Sequence, residues 1–230
     1  MLEMSLISGG CFCTSLAAVF LANWSIGQEQ APVGTAAGTA VATAPAVTKS
    51  NMWSLSATAF GYFVPGDRDY VQPTFTADRS WLHLEARYNY ENLETGSAWL
   101  GCNFHWGDKL FFEATPMVGG IFGDTTGLAL GYKLSVTWLR LELYSEGEYL
   151  QDLGDSVNNF FYNWSELTVS PVNWLRLGVA EQRTIAYRTE RDVQRGFLVG
   201  FSYKNVSLTA CVFNPDASRP ILVLGAGVQF

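Results

Sequence analysis

The stretch Arg219-Pro220-Ile221-Leu222-Val223-Leu224-Gly225-Ala226-Gly227-Val228-Gln229-Phe230 closes the chain as one alternating run. Successive side chains of an extended strand point to opposite faces, so Pro220, Leu222, Leu224, Ala226, Val228 and Phe230 share a face. The other face turns small and polar toward the end, with Gly225, Gly227 and Gln229. Chain ends fray unless they are tied into a sheet. A strand that runs to a final aromatic therefore predicts a terminus built into the fold.

The same period of two extends back to residue 51, punctuated by turn residues. It predicts strands near 51–64, 69–78, 81–92, 96–107, 109–121, 125–135, 138–150, 159–170, 174–186, 191–203, 206–214 and 219–230. Connections alternate between tight turns, such as Asp78-Arg79-Ser80, Gly107-Asp108 and Lys204-Asn205, and somewhat longer loops, such as Tyr149 to Asn158. None is long enough to fold into a barrel as a constricting loop. The chain is 48% apolar and 15% charged, yet after residue 24 it has no apolar run of the ~18 residues that a membrane helix needs. The net charge of −7 argues against nucleic acid as a partner.

Ahead of the strands, the apolar segment Cys11 to Trp24 is followed by Ser25-Ile26-Gly27, small residues that suit signal-peptidase cleavage before Gln28. Residues 1–27 read as a signal peptide, although the first basic residue is Lys49 and Glu3 makes the start acidic. Residues 28–50, rich in Ala, Thr, Val, Gly and Pro, read as a flexible periplasmic lead-in. Residues 51–230 form the remaining domain. Of the cysteines outside the signal, Cys102 and Cys211 fall on strands that do not touch, and each reads as a small buried residue.

An export signal, alternating strands and a C-terminal Phe230 together resemble a bacterial outer-membrane β-barrel. The resemblance implies an all-β, transmembrane, antiparallel up-and-down barrel, twelve-stranded with ten as the alternative, in the outer membrane. It also implies that Phe230 is read by the barrel-assembly machinery, and that lipid and lipopolysaccharide surround the wall. Three cassettes fit that setting: Trp81-Leu82-His83-Leu84-Glu85, Trp138-Leu139-Arg140-Leu141-Glu142 and Trp174-Leu175-Arg176-Leu177-Gly178. Each puts Trp at the membrane boundary, Leu toward lipid and a polar residue toward the lumen. Trp53, Trp106 and Tyr203 fall at the same level and complete an inner aromatic girdle.

The lumen-facing set then comprises His83, Glu85, Arg87, Glu91, Asn103, His105, Glu113, Lys133, Arg140, Glu142, Glu146, Glu148, Glu166 and Arg176. Seven acids among them face four fixed bases, which predicts a mild preference for cations, because lumen charge sets the local field. Pairing the third and fourth strands about residue 94 places His83 opposite His105 and Glu85 opposite Asn103. That patch reads as an ionic network filling the lumen rather than a metal site, and no cofactor is expected. Tyr90 carries lipid-face parity, as do Glu181 and Arg195, which pair across the ninth and tenth strands and read as a solvated ion pair above the bilayer, with contact to lipopolysaccharide headgroups as the alternative. Gly225 and Gly227 face the lumen and leave room beside the first strand, which Trp53 and Leu55 join to the last.

Three functions follow from different classes. The leading one is a porin-like passive channel for small solutes. The second is an anchoring barrel whose lumen is blocked by facing charges and by bulky Trp81, Trp99, Phe111 and Tyr144. The third, an outer-membrane lipid hydrolase, lacks the outward Ser, His and Asn of twelve-stranded phospholipases, and no catalytic residues are expected.

Overall fold

A computed structural model describes residues 52–154, 159–186 and 192–230. The expected signal peptide (1–27) and lead-in (28–50) lie outside the described residues. Thirteen strands follow one another: β1 (Ser54–Phe63), β2 (Tyr70–Arg79), β3 (Leu82–Tyr88), β4 (Thr95–Cys102), β5 (Phe104–Trp106), β6 (Leu110–Gly123), β7 (Gly127–Trp138), β8 (Leu141–Asp152), β9 (Phe160–Val172), β10 (Leu175–Ala186), β11 (Asp192–Tyr203), β12 (Val206–Phe213) and β13 (Ile221–Gln229). β4 and β5 pair in one continuous register with β6, Gly101 opposite Met117 and His105 opposite Glu113. They are one wall strand interrupted at Asn103, so the wall has twelve strands. All neighbours are antiparallel, and β1 pairs with β13, so the sheet closes on itself.

Closure depends on the C-terminal run. Ser56 to Phe63 pair with Gln229 to Leu222, and the Phe230 amide donates to the Leu55 carbonyl at 2.8 Å. Trp53 lies beyond this ladder, so Leu55 but not Trp53 makes the expected seam. On the end of the barrel that holds both termini of the described wall, where β1 begins and β13 ends, the hairpins are tight, and Ser80, Leu139 and Lys204 take left-handed φ values of 53–57° there. Those turns match the pleat of the flanking strands without a long loop. The opposite rim carries the longer connections.

The alternation resolves into two faces. Outward residues such as Val71, Phe75, Leu100, Val118, Leu128, Leu130, Phe197 and Leu208 are large, apolar and exposed. A soluble protein does not present a continuous apolar belt of this kind, and the belt is the lipid-facing wall of a membrane barrel. Trp81, Trp106, Trp138, Trp174 and Tyr203 are exposed at the end bearing the termini, with Trp53 beside them under the Arg79 guanidinium. Trp106 stacks on Phe112 and Trp174 on Phe201 across adjacent strands.

Inward residues are packed. Phe60, Tyr62, Trp164, Leu198, Cys211, Phe213 and Val223 form one apolar cluster, and Trp99, Met117, Ile121, Ala129, Leu150 and Phe160 another. Leu150, Cys211, Phe213 and Val223 are 0% exposed, so the interior is filled at their level. Cys102 and Cys211 are both free thiols. The room expected at Gly225 is already occupied: a Cβ there would lie 2.5 Å from the Phe60 ring. Gly225 is the seat of that ring rather than an opening.

Candidate functional site: a charged network across the lumen

The β3 strand supplies the centre of the site. Its inward positions are His83, Glu85 and Arg87, all buried. Unpaired charge in such a place is costly, and each group is matched. The His83 ring nitrogens lie 2.8 Å from Asp78 and 3.1 Å from Glu85. Glu85 also accepts from the Arg87 guanidinium and the Lys133 ammonium. Arg87 donates to Glu148 at 2.8 Å, and lies 4.0 Å from Glu91.

These contacts cross the barrel. β3 and β8 are four strands apart around a twelve-strand wall, and β3 and β7 three apart. The short 89–94 loop extends the crossing. Asn89 and Glu94 both take φ near 56°, the Asn89 side chain caps the Glu94 amide at 2.8 Å, and the Asn89 amide donates to Thr95 O at 2.8 Å. This tight loop turns Tyr90 and Glu91 inward together. Tyr90 donates to Glu146 on β8 and meets Tyr162 on β9 edge to face at 5.5 Å. The Arg87 guanidinium is held between the Tyr90 ring, 4.2 Å away, and the Trp99 ring, 4.7 Å away. Glu91 accepts from Ser97 at 2.5 Å and from the Trp99 indole at 3.3 Å.

Two sequence expectations change here. Tyr90 faces the lumen rather than lipid, because β3 ends at Tyr88 and the loop, not the pleat, sets its direction. A short loop thus reaches into the barrel, which its length alone did not suggest. The β3–β4 register also differs by four residues from the one expected: His83 lies opposite Gly101 and Glu85 opposite Trp99. His83 and His105 are therefore not neighbours. His105 instead faces Glu113 at 3.0 Å near the end bearing the termini, and Asn103 ties the strand break down through Asp78 at 2.5 Å and Thr115 at 2.7 Å.

The remaining candidates divide. Lys133, Glu142, Glu146, Glu148, Glu166 and Arg176 all carry inward parity, with Arg176 3.3 Å from Glu166 and the Trp164 indole 3.0 Å from the same carboxylate. Tyr144 and Trp99 are buried inside, and Phe111 stacks on His105 at 6.2 Å. Arg140 does not join them. It sits exposed in the β7–β8 turn, where its guanidinium donates to the Pro171 carbonyl. Trp81 likewise is an exposed turn residue and does not block the lumen. Asp78, missed in the sequence because it abuts a turn, replaces Arg140 as an interior charge. Within this candidate set, with Asp78 added to the seven acids and Arg140 removed from the four bases, eight acids face three fixed bases.

No protein-family model and no curated protein sequence matches the chain. Solved structures do. A KdgM porin superposes with a TM-score of 0.50 at 9% identity, covering 76% of this chain and 99% of that one. A KdgM porin in complex with disordered oligogalacturonate matches with the same TM-score and coverage at 10% identity. OccK5 (OpdH) of Pseudomonas aeruginosa gives a TM-score of 0.43 at 7% identity, over 82% of this chain and 68% of that one. The likeness to the KdgM porin is one of fold. Together with the apolar outer wall, it describes a closed twelve-strand barrel built to stand in a membrane.

Proposed function

We propose that the chain is a narrow porin-like channel that passes small cations and small neutral solutes across the outer membrane. The observation that carries this reading is the acid excess among the named inward residues, eight carboxylates against three fixed bases, concentrated where side chains meet across the lumen. Fixed lumen charge sets which ions enter. The KdgM porin was solved with oligogalacturonate, a carboxylate-bearing sugar chain; an acid-rich lumen disfavours such an anion, so the shared fold does not carry over that ligand. Pore-lining roles go to His83, Glu85, Arg87, Asn103, His105, Glu113, Lys133, Glu142, Glu166 and Arg176. The Trp residues and Tyr203 serve as the boundary girdle, and Phe230 serves as the assembly signal after export directed by residues 1–27.

A second reading has its own support. The crossing contacts and the 0% exposed interior side chains fit a barrel that anchors the envelope with its lumen closed. A hydrolase gains nothing from the geometry, since both histidines of the chain face inward. Planar-bilayer recording separates the first two. Steps of defined size that shrink with larger solutes, and a reversal potential in a KCl gradient showing cation preference, support the channel. Silence from correctly folded protein supports the closed barrel, and anion preference overturns the charge argument.

A further inference from the structure

The apolar outer wall has a notch. On β6 outward residues are apolar from Phe112 near the lower end to Phe122 near the upper. On β9 to β11 polarity begins much lower. Ser165, Glu181 and Arg195 lie in one row across the three strands, directly above the apolar row Leu167, Val179 and Phe197. Glu181 is six residues above Leu175, which adjoins the girdle residue Trp174. At a rise of ~3.3 Å per residue and a tilt of ~40°, six residues climb about 15 Å, well short of the ~25 Å height of an outer-membrane apolar band. A charge pair therefore sits at a depth where acyl chains cover the rest of the wall.

The neighbouring polar groups are dealt with inside the protein. Tyr132 lies across Gly147, and its hydroxyl receives Asn163 at 3.0 Å and Ser145 at 3.1 Å, while Ser165 donates to Asn163 at 3.1 Å. Asn163 is buried as a result. The Glu181 and Arg195 end of the same row is not covered in this way. Arg195 is held by Glu181 through Nε alone at 3.2 Å, and its side chain is 77% exposed. Beside it opens a groove of about 720 Å³, floored by Leu167, Val179 and Phe197 and topped by Glu181, Arg195 and the Asn214 to Asp216 loop.

We propose that this groove holds one phosphorylated lipid of the outer leaflet, its acyl chain along Leu167, Val179 and Phe197 and its phosphate on the exposed edge of Arg195. The polarity runs the right way: the polar end faces the outer rim and the apolar end faces down, as an outer-leaflet lipid is oriented. Glu181 engages Nε, which leaves the terminal nitrogens of the exposed guanidinium as the donors with which arginine takes a phosphate. The headgroup is drawn below the general membrane surface, which relieves the charge from hydrocarbon. This rests on the barrel standing in the outer membrane and not on whether the lumen conducts.

The test is native mass spectrometry of the folded barrel in a neutral detergent, titrated with lipid A and separately with diacylglycerol, which has acyl chains and no phosphate. Wild type should retain one lipid A per barrel, more tightly than diacylglycerol. Arg195→Gln should weaken lipid A retention by about tenfold, since charge-assisted hydrogen bonds are lost, and Arg195→Lys should restore part of it. Val179→Trp, which fills the floor, should weaken both lipids while heat-shifted gel mobility shows the same folded barrel. Wild-type lipid A binding in both Arg195→Gln and Val179→Trp overturns the proposal. So does a dimer that buries Arg195 and carries no lipid.

Discussion

The Arg87 guanidinium and the Glu148 carboxylate, on strands four places apart around the wall, meet at 2.8 Å inside the barrel. A wall otherwise held by neighbour-to-neighbour ladders is thereby cross-braced. Removing one member of a buried pair costs far more than replacing both, because the survivor is left charged and unmatched. Arg87→Met leaves Glu85 and Glu148 without their shared cation. It should destabilise the barrel by roughly 3–5 kcal/mol in urea titration followed by tryptophan fluorescence. The double change Arg87→Met with Glu148→Leu should recover much of that loss, and equal losses in both variants would mean the pair is not the brace.

Tyr90 spans the lumen to Glu146 and Tyr162. Tyr90→Ala removes the ring without touching the wall ladder, so the unitary conductance should exceed that of wild type. An unchanged conductance would place the narrowest point elsewhere.

Glu113 and Glu142 face inward near the end that bears the termini and take no part in the Arg87 network. Exchanging both for Gln should lower the potassium-to-chloride permeability ratio, read as a smaller reversal potential in a KCl gradient. Because lumen acids attract cations, the shift must be toward anions. Thermal stability should change little.

Gly225 seats the Phe60 ring so closely that any Cβ at this position would stand 2.5 Å from it. Gly225→Val should cost about 1–3 kcal/mol, the usual penalty of overpacking a filled interior, visible as a lower unfolding temperature. A neutral result would show that Phe60 can swing away.

The wall is legible in the sequence because its physics is local. Alternation and turn residues mark all twelve strands from Ser54 to Gln229, and the β10–β11 register with Glu181 opposite Arg195 follows from the same pattern. What escapes is set by loops. Asn89 takes a left-handed conformation and ends β3 early, which moves His83 from His105 to Gly101 and swings Tyr90 inward. Parity says nothing about residues outside the pleat. Arg140 and Trp81 escape it for the same reason, since each belongs to a two-residue turn.

Trp99 lies over Gly119, its direct partner on β6, and reaches Gly131 on β7. A slip of one residue would turn every side chain to the wrong face and be rejected by that alone. A slip of two keeps the faces correct, and alternation cannot detect it. It would, however, bring Met117 or Ile121 beneath the indole in place of Gly119. The flat ring over its glycine floor thus fits only the strand offset in which Gly119 of β6 and Gly131 of β7 lie beneath Trp99 of β4.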